Sequence, residues 1–135
     1  MTLITWKETY SLNVEEVDNQ HKKLVELIND LHGAMISGKA KESLGKILSA
    51  LIDYTLYHFA TEEKFFDQYE YPDSNSHKKQ HQDLVQQVAA LQQKFEAGEK
   101  VLTIDVMNFL RDWLNDHILG SDKKFGPYLN SKGVK

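Results

Sequence analysis

Apolar residues recur at alternating steps of three and four along four long stretches of this chain, which is the spacing of one face of an α-helix. Helix breakers are scarce, since Pro72 and Pro127 are the only prolines among 135 residues. The pattern predicts helices at about residues 18–37, 40–69, 74–97 and 104–119. Because the intervening connections are short, consecutive helices run antiparallel. We therefore predict an all-α fold, an up-down-up-down antiparallel four-helix bundle with an N-terminal arm.

The length of 135 residues fits a single domain. We divide it into three parts: an N-terminal arm at 1–17, the bundle at 18–119 and a C-terminal segment at 120–135. Four apolar residues are predicted to anchor the arm, namely Trp6, Tyr10, Leu12 and Val14. Asp18 is predicted to cap the first helix and Thr103 the fourth. Short polar side chains at a helix start accept hydrogen bonds from backbone amides that have no partner within the helix.

Composition excludes several classes of protein and site. The chain has no cysteine, which excludes disulfides, thiolate metal sites and a cysteine nucleophile. Its net charge of -4 and the absence of a basic stripe argue against a nucleic-acid partner. No apolar run approaches the ~20 residues of a membrane span, and the N-terminus lacks the basic and apolar regions of a signal peptide. These features predict a soluble, cytoplasmic protein.

Histidine and carboxylate side chains continue the apolar stripe of every predicted helix. They are His21 on the first helix, His58 and Glu62 on the second, His77 and His81 on the third, and His117 and Asp122 at the end of the fourth. Antiparallel packing brings the starts of the first and third helices to the same end of the bundle as the ends of the second and fourth. We therefore predict that these side chains meet at one level.

His117 and Asp122 do not fit a regular helix. They lie five residues apart, which places them about 140° apart around an ideal α-helix. Both face inward only if the helix widens or ends near Gly120, so we predict a π-type bulge or a terminal turn there.

A metal site explains this set of side chains better than ordinary packing. A single inward histidine is usually a hydrogen-bonded core residue, but five imidazoles and two carboxylates at one level need pairing or a cation. Zinc usually takes four ligands, so this larger set favours two ions. Five histidine nitrogens, two bridging carboxylates and one bridging oxygen would occupy all but one of the coordination positions of two octahedral ions. The remaining position would be open to a diatomic gas. Octahedral geometry suits iron better than zinc.

These residues resemble the motifs of the hemerythrin family, and of its bacterial single-domain branch in particular. The matching pieces are VDNQH with His21, HFATEE with His58 and Glu62, HKKQH with His77 and His81, and HILGSD with His117 and Asp122. The resemblance implies a non-haem centre of two iron ions (Fe2+/Fe3+), bridged by an oxo or hydroxo group and two carboxylates. It implies one iron bound by three histidines, a second bound by two, and both carboxylates as bridges: His77, His81 and His117; His21 and His58; Glu62 and Asp122.

The resemblance also implies a dry oxygen pocket beside the open iron position. By position, the candidate lining residues are Leu24, Phe59, Trp113, Leu114 and Ile118, although ordinary core packing explains each of them equally well. Ser121 stands where the family often has an apolar residue, which leads to the hypothesis of a wetter pocket and faster autoxidation. His32 is about 16 Å beyond His21 along the helix, too far to join the site. Glu63 is predicted to face outward.

The implied function is reversible dioxygen binding for storage, delivery or buffering, and the protein is expected not to be an enzyme. A nitrogen-rich ligand set with no Glu-x-x-His pair favours holding oxygen over activating it. Two alternatives stay open: an oxygen- or redox-sensing module, and a di-iron enzyme acting on peroxide, nitric oxide or iron. We expect a monomer whose partners are dioxygen and an oxygen-consuming enzyme or a reductase.

Overall fold

Residues 3–135 are described by a computed structural model, and over that range they form helices without β-strands. The long helices are α1 (Glu15–Ile36), α2 (Lys41–Gln68), α3 (Ser74–Glu96) and α4 (Ile104–Asp116). A π-helical turn (His117–Asp122) continues α4 into a shorter helix, α5 (Lys123–Ser131). Helix α1 packs against α2 and α4, and α2 packs against α3, so the predicted antiparallel four-helix bundle is confirmed. No helix within the described range has both the length and the hydropathy to span a bilayer.

The N-terminal arm is tied to the side of α1. The helix begins at Glu15, ahead of the predicted cap Asp18, which lies in its first turn. The Ser11 hydroxyl and the amide of Leu12 both donate to the Asp18 carboxylate, at 2.6 and 2.8 Å. The prediction that Asp18 caps the helix is therefore wrong, because its carboxylate binds the arm that folds back over it.

Helix α4 begins at the residue that the sequence predicted, but the helical structure does not end where it was predicted to end. The Thr103 side chain accepts a hydrogen bond from the amide of Val106 at 3.3 Å, which confirms the predicted cap. Gly120 lies inside the π-helical turn, and helical structure continues to Ser131. The predicted helix end at about residue 119 is wrong, because the wider turn keeps the chain helical where a regular α-helix was expected to stop.

The hydrophobic core has two parts, with the polar side chains between them. The larger part fills the middle of the bundle, and the smaller part lies where the arm meets α5. Phe59 of the larger part and Phe66 of the smaller part both lie against His81. The predicted arm anchors are confirmed, with Trp6 partly buried and three others fully buried: Tyr10, Leu12 and Val14.

Gly126 marks a close approach between α5 and the arm. A Cβ added there would lie 2.8 Å from the carbonyl oxygen of Leu12 and 3.0 Å from its Cβ. We expect Gly126→Ala to destabilise the protein by about 1–3 kcal/mol, because the backbone has to move. The control is Gly33→Ala within α1, where nothing lies within 4 Å of an added Cβ and alanine should stabilise by about 0.5–1 kcal/mol. Urea unfolding measures both, and equal effects would contradict the close approach.

Candidate metal centre

Buried polar side chains meet at one level of the bundle. They come from the starts of α1 and α3, the end of α2 and the π-helical turn after α4, as antiparallel packing requires. Each is at most 5% exposed: His21, His58, Glu62, His77, His81, His117 and Asp122. The structure therefore brings together every residue of the predicted ligand set and closes them off from bulk water.

These side chains divide into two overlapping groups whose donor atoms lie within 4.8 Å of one another. The three-histidine group is His77, His81 and His117 with Glu62, and the two-histidine group is His21 and His58 with Glu62 and Asp122. Asp122 also spans the groups, because its Oδ1 is 2.8 Å from His77 Nε2 and its Oδ2 is 3.0 Å from His21 Nε2. Both carboxylates thus lie between the two sets of histidines.

The π-helical turn places His117 and Asp122 on the same side of the helix. It spans those two residues, so the predicted π-type bulge is confirmed at the predicted place. A π-helix bonds residue i to residue i+5 and is therefore wider than an α-helix. The wider turn offsets the rotation that would otherwise carry the Asp122 carboxylate away, and it leaves Oδ1 3.3 Å from His117 Nε2.

Several donor atoms of the site lack hydrogen-bond partners. Both carboxylate oxygens of Glu62 and Asp122, and the Nε2 atoms of His21 and His58, are buried without a hydrogen bond. Their short contacts with one another are not aligned as hydrogen bonds. Buried carboxylates without partners are costly, and coordination to a cation offsets that cost. This part of the site therefore fits a metal ion.

The spacing of nitrogens in the three-histidine group also fits a metal ion. His117 Nε2 lies 3.0 Å from His77 Nε2 and 3.2 Å from His81 Nε2. Nitrogens that bind one ion at about 2.1 Å and at right angles to each other are about 3 Å apart. The imidazoles thus already hold the separation that a shared octahedral ion requires.

Three site histidines are held at their outer nitrogen by a residue from the preceding helix of the bundle. The pairs and their Nδ1–oxygen distances are His58 with Gln20 (2.7 Å), His81 with Glu63 (3.0 Å) and His117 with Gln80 (2.9 Å). An Nδ1–H that donates outward leaves the Nε2 lone pair facing the centre, as at metal-bound histidines. The prediction that Glu63 faces outward is wrong, because α3 packs against α2 and brings His81 within reach of the carboxylate.

Gln20 and Gln80 were not predicted as site residues, although the sequence carries a signal for both. Each glutamine directly precedes a site histidine, at 20–21 and at 80–81. Adjacent side chains on a helix are turned by about 100°, so the glutamine points to a neighbouring helix when the histidine points to the centre. A Gln-His pair near the start of both α1 and α3 therefore indicates the outer support.

Burial and charge set the protonation of the site when no metal is bound. Burial alone raises the pKa of the Asp122 carboxyl, but the charge of His117 and contacts with His21 and His77 hold it well below its ordinary value. Burial alone lowers the pKa of His21, but contact with the Asp122 carboxylate outweighs it and raises that pKa. At His58 burial dominates and lowers the pKa to about 4. The metal-free site therefore pairs His21 with Asp122 beside a neutral His58.

An apolar cavity of about 30 Å³ lies in the bundle beside the site. Two of its aromatic residues touch site histidines: Phe59 stacks on His81 and Trp113 on His117, with ring centroids 3.8 and 4.5 Å apart. Four of the five predicted pocket residues line the cavity, namely Leu24, Phe59, Trp113 and Leu114. Ile118 is buried in the same hydrophobic core but is not among the lining residues.

Ser121 and His32 lie outside both donor groups and outside the apolar cavity. The Ser121 hydroxyl donates to Gln80 Oε1 at 2.7 Å and faces a separate, polar cavity. The hypothesis that Ser121 makes the oxygen pocket wetter therefore loses its basis. His32 is buried on α1, about 16 Å along the helix from His21, and lies outside the site as predicted.

Comparison with known proteins identifies the family. Residues 12–129 match the family model described as the hemerythrin HHE cation binding domain. This chain belongs to the hemerythrin family. The bacteriohemerythrin of Methylococcus capsulatus is 42% identical over 132 residues, which cover 97% of this chain and 100% of that protein. A hemerythrin-like protein of Naegleria gruberi is 33% identical over 120 residues, which cover 89% of this chain and 88% of that protein.

A crystal structure of wild-type hemerythrin has the same fold. It superposes with a TM-score of 0.89 at 41% identity and covers 94% of this chain and 98% of the other. A hemerythrin domain binds a di-iron centre. The two overlapping donor groups of this chain fit two ions, and their imidazole and carboxylate donors are ligands that iron accepts.

The metal-free hemerythrin domain is expected to lose stability as the pH falls from about 6.5 to about 4, because of His58. Between these values the unfolded chain binds a proton at His58 that the folded chain does not, so stability rises with pH across this window. The full effect is on the order of 3 kcal/mol. His58→Asn cannot titrate and is the control. Urea unfolding at several pH values should show a weaker slope for the variant, and parallel slopes would contradict the neutral His58.

Proposed function

We propose that this protein binds dioxygen reversibly at a di-iron centre and serves in oxygen storage, delivery or buffering. The observation that carries the proposal is the unequal sharing of histidines between the two donor groups. If both carboxylates and one oxygen bridged the pair, three histidines would complete one octahedral ion, whereas two would leave the second ion with a free position. A free position on one ion is what a site needs to take up and release a small gas.

The ligand assignment follows the two donor groups. His77, His81 and His117 would bind one iron, His21 and His58 the other, and Glu62 and Asp122 would bridge them. The positions of the carboxylate oxygens support the bridging roles. Glu62 Oε1 is 3.0 Å from His81 Nε2, and its Oε2 is 3.8 Å from His21 Nε2. The two oxygens of Asp122 likewise face opposite groups.

The chain itself orients the ligands and buries their side chains. When bound, the two ferrous ions supply the open position and the electrons for reversible dioxygen binding. Gln20 and Gln80 accept from the outer nitrogens of His58 and His117, which keeps both Nε2 atoms directed at the centre. Every ligand side chain is buried, and His77 also lines the polar cavity beside Ser121.

We assign the oxygen pocket to the apolar cavity and to four of its lining residues, Leu24, Phe59, Trp113 and Leu114. Ile118 contributes to the core around it. The cavity volume of about 30 Å³ exceeds the ~10–15 Å³ that one water-sized molecule requires. Thr55 also lines the cavity, but its hydroxyl donates to the carbonyl of Leu51 at 2.7 Å. The surface offered to a ligand is therefore apolar, which favours dioxygen over water.

The remaining parts of the proposal concern the protein as a whole. Hemerythrins are oxygen-binding proteins rather than enzymes, and we propose a non-enzymatic role for this chain. We further propose that residues 1–135 act as one domain, as a monomer in the cytoplasm. An oxygen-consuming enzyme would receive the gas, and a reductase would return oxidised protein to the ferrous state.

Anaerobic loading with ferrous iron, followed by cycles of air and argon, tests the proposed function. We expect two iron ions per chain and uptake of one dioxygen per iron pair. A visible charge-transfer band should appear in air and disappear under argon over several cycles. Irreversible oxidation on first exposure, or steady consumption of peroxide or nitric oxide, would overturn the carrier role. A protein that takes up zinc but no iron would overturn the di-iron site.

A further inference from the structure

The outer partners of the site histidines differ in charge. Two of them are neutral glutamine amides, and the third is the Glu63 carboxylate, which accepts from His81 Nδ1 at 3.0 Å. We propose that Glu63 is a positioning residue of the di-iron centre: it directs His81 Nε2 at the three-histidine group and makes that imidazole a stronger donor to iron. This inference rests on the proposed di-iron site but not on oxygen binding.

His81 lies between two consecutive carboxylates of α2. Its Nε2 is 3.0 Å from Glu62 Oε1, and its Nδ1 is 3.0 Å from Glu63 Oε2. Phe59 stacks on the ring with an interplanar angle of 5°, which sets the plane of the imidazole. The hydrogen bond to Glu63 then sets which edge of the ring faces the centre and which nitrogen carries the proton. Without it, both tautomers of His81 become accessible, and only one of them binds iron through Nε2.

The charge of Glu63 distinguishes it from the other outer partners. Hydrogen bonds to a carboxylate are stronger than those to an amide, and a carboxylate partner raises the basicity of a metal-bound histidine. Glu63 is 35% exposed, so solvent screens its through-space field and the effect travels through the hydrogen bond to His81. A more basic ligand stabilises ferric iron over ferrous iron. Glu63 therefore lowers the midpoint potential of the iron pair.

Gln80 supports His117 with a neutral amide, where Glu63 supports His81 with a carboxylate. Its Oε1 accepts from His117 Nδ1 at 2.9 Å and also from the Ser121 hydroxyl at 2.7 Å. The orientation of His117 is thus fixed without any added charge. The chain therefore contains both kinds of support within one group of ligands, one anionic and one neutral.

Three single variants distinguish the positioning role of the Glu63 side chain from the effect of its charge. Glu63→Ala removes both the acceptor and its charge, whereas Glu63→Gln keeps an acceptor and removes the charge. Glu42→Gln is the matched control, because it makes the same charge change on the same helix, about 30 Å away, at a side chain that is 83% exposed. Chelator competition measures the iron dissociation constant, and an anaerobic redox titration measures the midpoint potential.

We expect Glu63→Ala to weaken iron binding by about 10–100-fold and Glu63→Gln to recover most of that loss. Both Glu63 variants should raise the midpoint potential, and Glu42→Gln should change neither quantity. Gln80→Glu adds a carboxylate to His117 and should lower the potential. A Glu63→Gln potential equal to that of Glu42→Gln would overturn the electronic role, and wild-type iron affinity in Glu63→Ala would overturn the positioning role.

The two proposals fail separately. Iron affinity and midpoint potential are both measured without oxygen. A wild-type protein that loads iron but does not release oxygen under argon would end the proposed carrier function and leave the Glu63 comparison intact. Reversible oxygen binding in the wild-type protein, together with an unchanged midpoint potential in Glu63→Gln, would end the electronic role of Glu63 and leave the carrier function intact.

Discussion

Removal of iron from the loaded protein is expected to lower its free energy of unfolding by about 5–8 kcal/mol, when free ferrous iron stands at roughly a hundred to a thousand times its dissociation constant. Both donor groups are assembled by folding, so each ion stabilises only the folded state. The metal-free protein also keeps the oxygens of Glu62 and Asp122 buried without hydrogen bonds. Urea unfolding under argon, with and without a ferrous chelator, measures the loss.

The size of this effect should follow the concentration of free iron. Each tenfold increase adds about 1.4 kcal/mol for every bound ion, so the slope reports how many ions bind. Magnesium prefers an all-oxygen ligand set and serves as the control ion that should not restore stability. A free energy of unfolding that does not change with iron concentration would contradict the presence of two metal sites that form only in the folded protein.

Substitution of His77 by alanine is expected to reduce iron from two ions per chain to at most one. His77 Nε2 lies 2.8 Å from Asp122 Oδ1 and 3.0 Å from His117 Nε2. Its loss removes a donor from the three-histidine group and a contact with the Asp122 carboxylate. We expect affinity at that group to fall by more than the roughly 100-fold that loss of an outer partner costs. Iron analysis after gel filtration measures the result.

His32→Ala is the matched control for this substitution. His32 is also a buried histidine, 6% exposed compared with 3% for His77, but it belongs to neither donor group. Its replacement should cost about 1–3 kcal/mol of stability and leave two ions per chain. Equal iron content in the two variants would contradict the ligand assignment.

The seven inward donors were open to prediction because periodicity and antiparallel topology together determine which side chains share a level. The π-helical turn was open to prediction for a chemical reason. His117 and Asp122 lie five residues apart, and only a wider turn lets both reach one centre. A pattern of donors that a regular helix cannot satisfy is therefore a usable signal for irregular backbone.

The outer shell of the site was harder to predict, because it depends on distances between helices. Helix geometry places Glu63 about 100° from Glu62, which suggests solvent, but it does not reveal that His81 of α3 lies 3.0 Å away. The same limitation hid Gln20 and Gln80. Periodicity assigns a face of a helix, and only packing shows which neighbour stands opposite that face.

Asp18 illustrates a local signal overruled by a tertiary contact. Its position ahead of an apolar run fits a helix cap, yet its carboxylate accepts from Ser11 and Leu12 instead. No property of residues 15–21 alone distinguishes the two uses of the side chain. The deciding factor is the path of the arm, which is held to α5 through Leu12 and Gly126.

The π-helical turn at 117–122 makes this segment tolerate a shorter chain better than a longer one. A π-helical turn holds one residue more than an α-helical turn, so deleting one residue between His117 and Asp122 would give ordinary α-helix. The two side chains would then be four residues apart and still on one face, and α5 would keep its orientation. One further residue, carried as ordinary helix, would instead rotate α5 by about 100° and turn Phe125 and Leu129, both 0% exposed, out of the smaller part of the core. Insertions in this family should therefore be tolerated in surface connections such as residues 97–103 and be rare at 117–122.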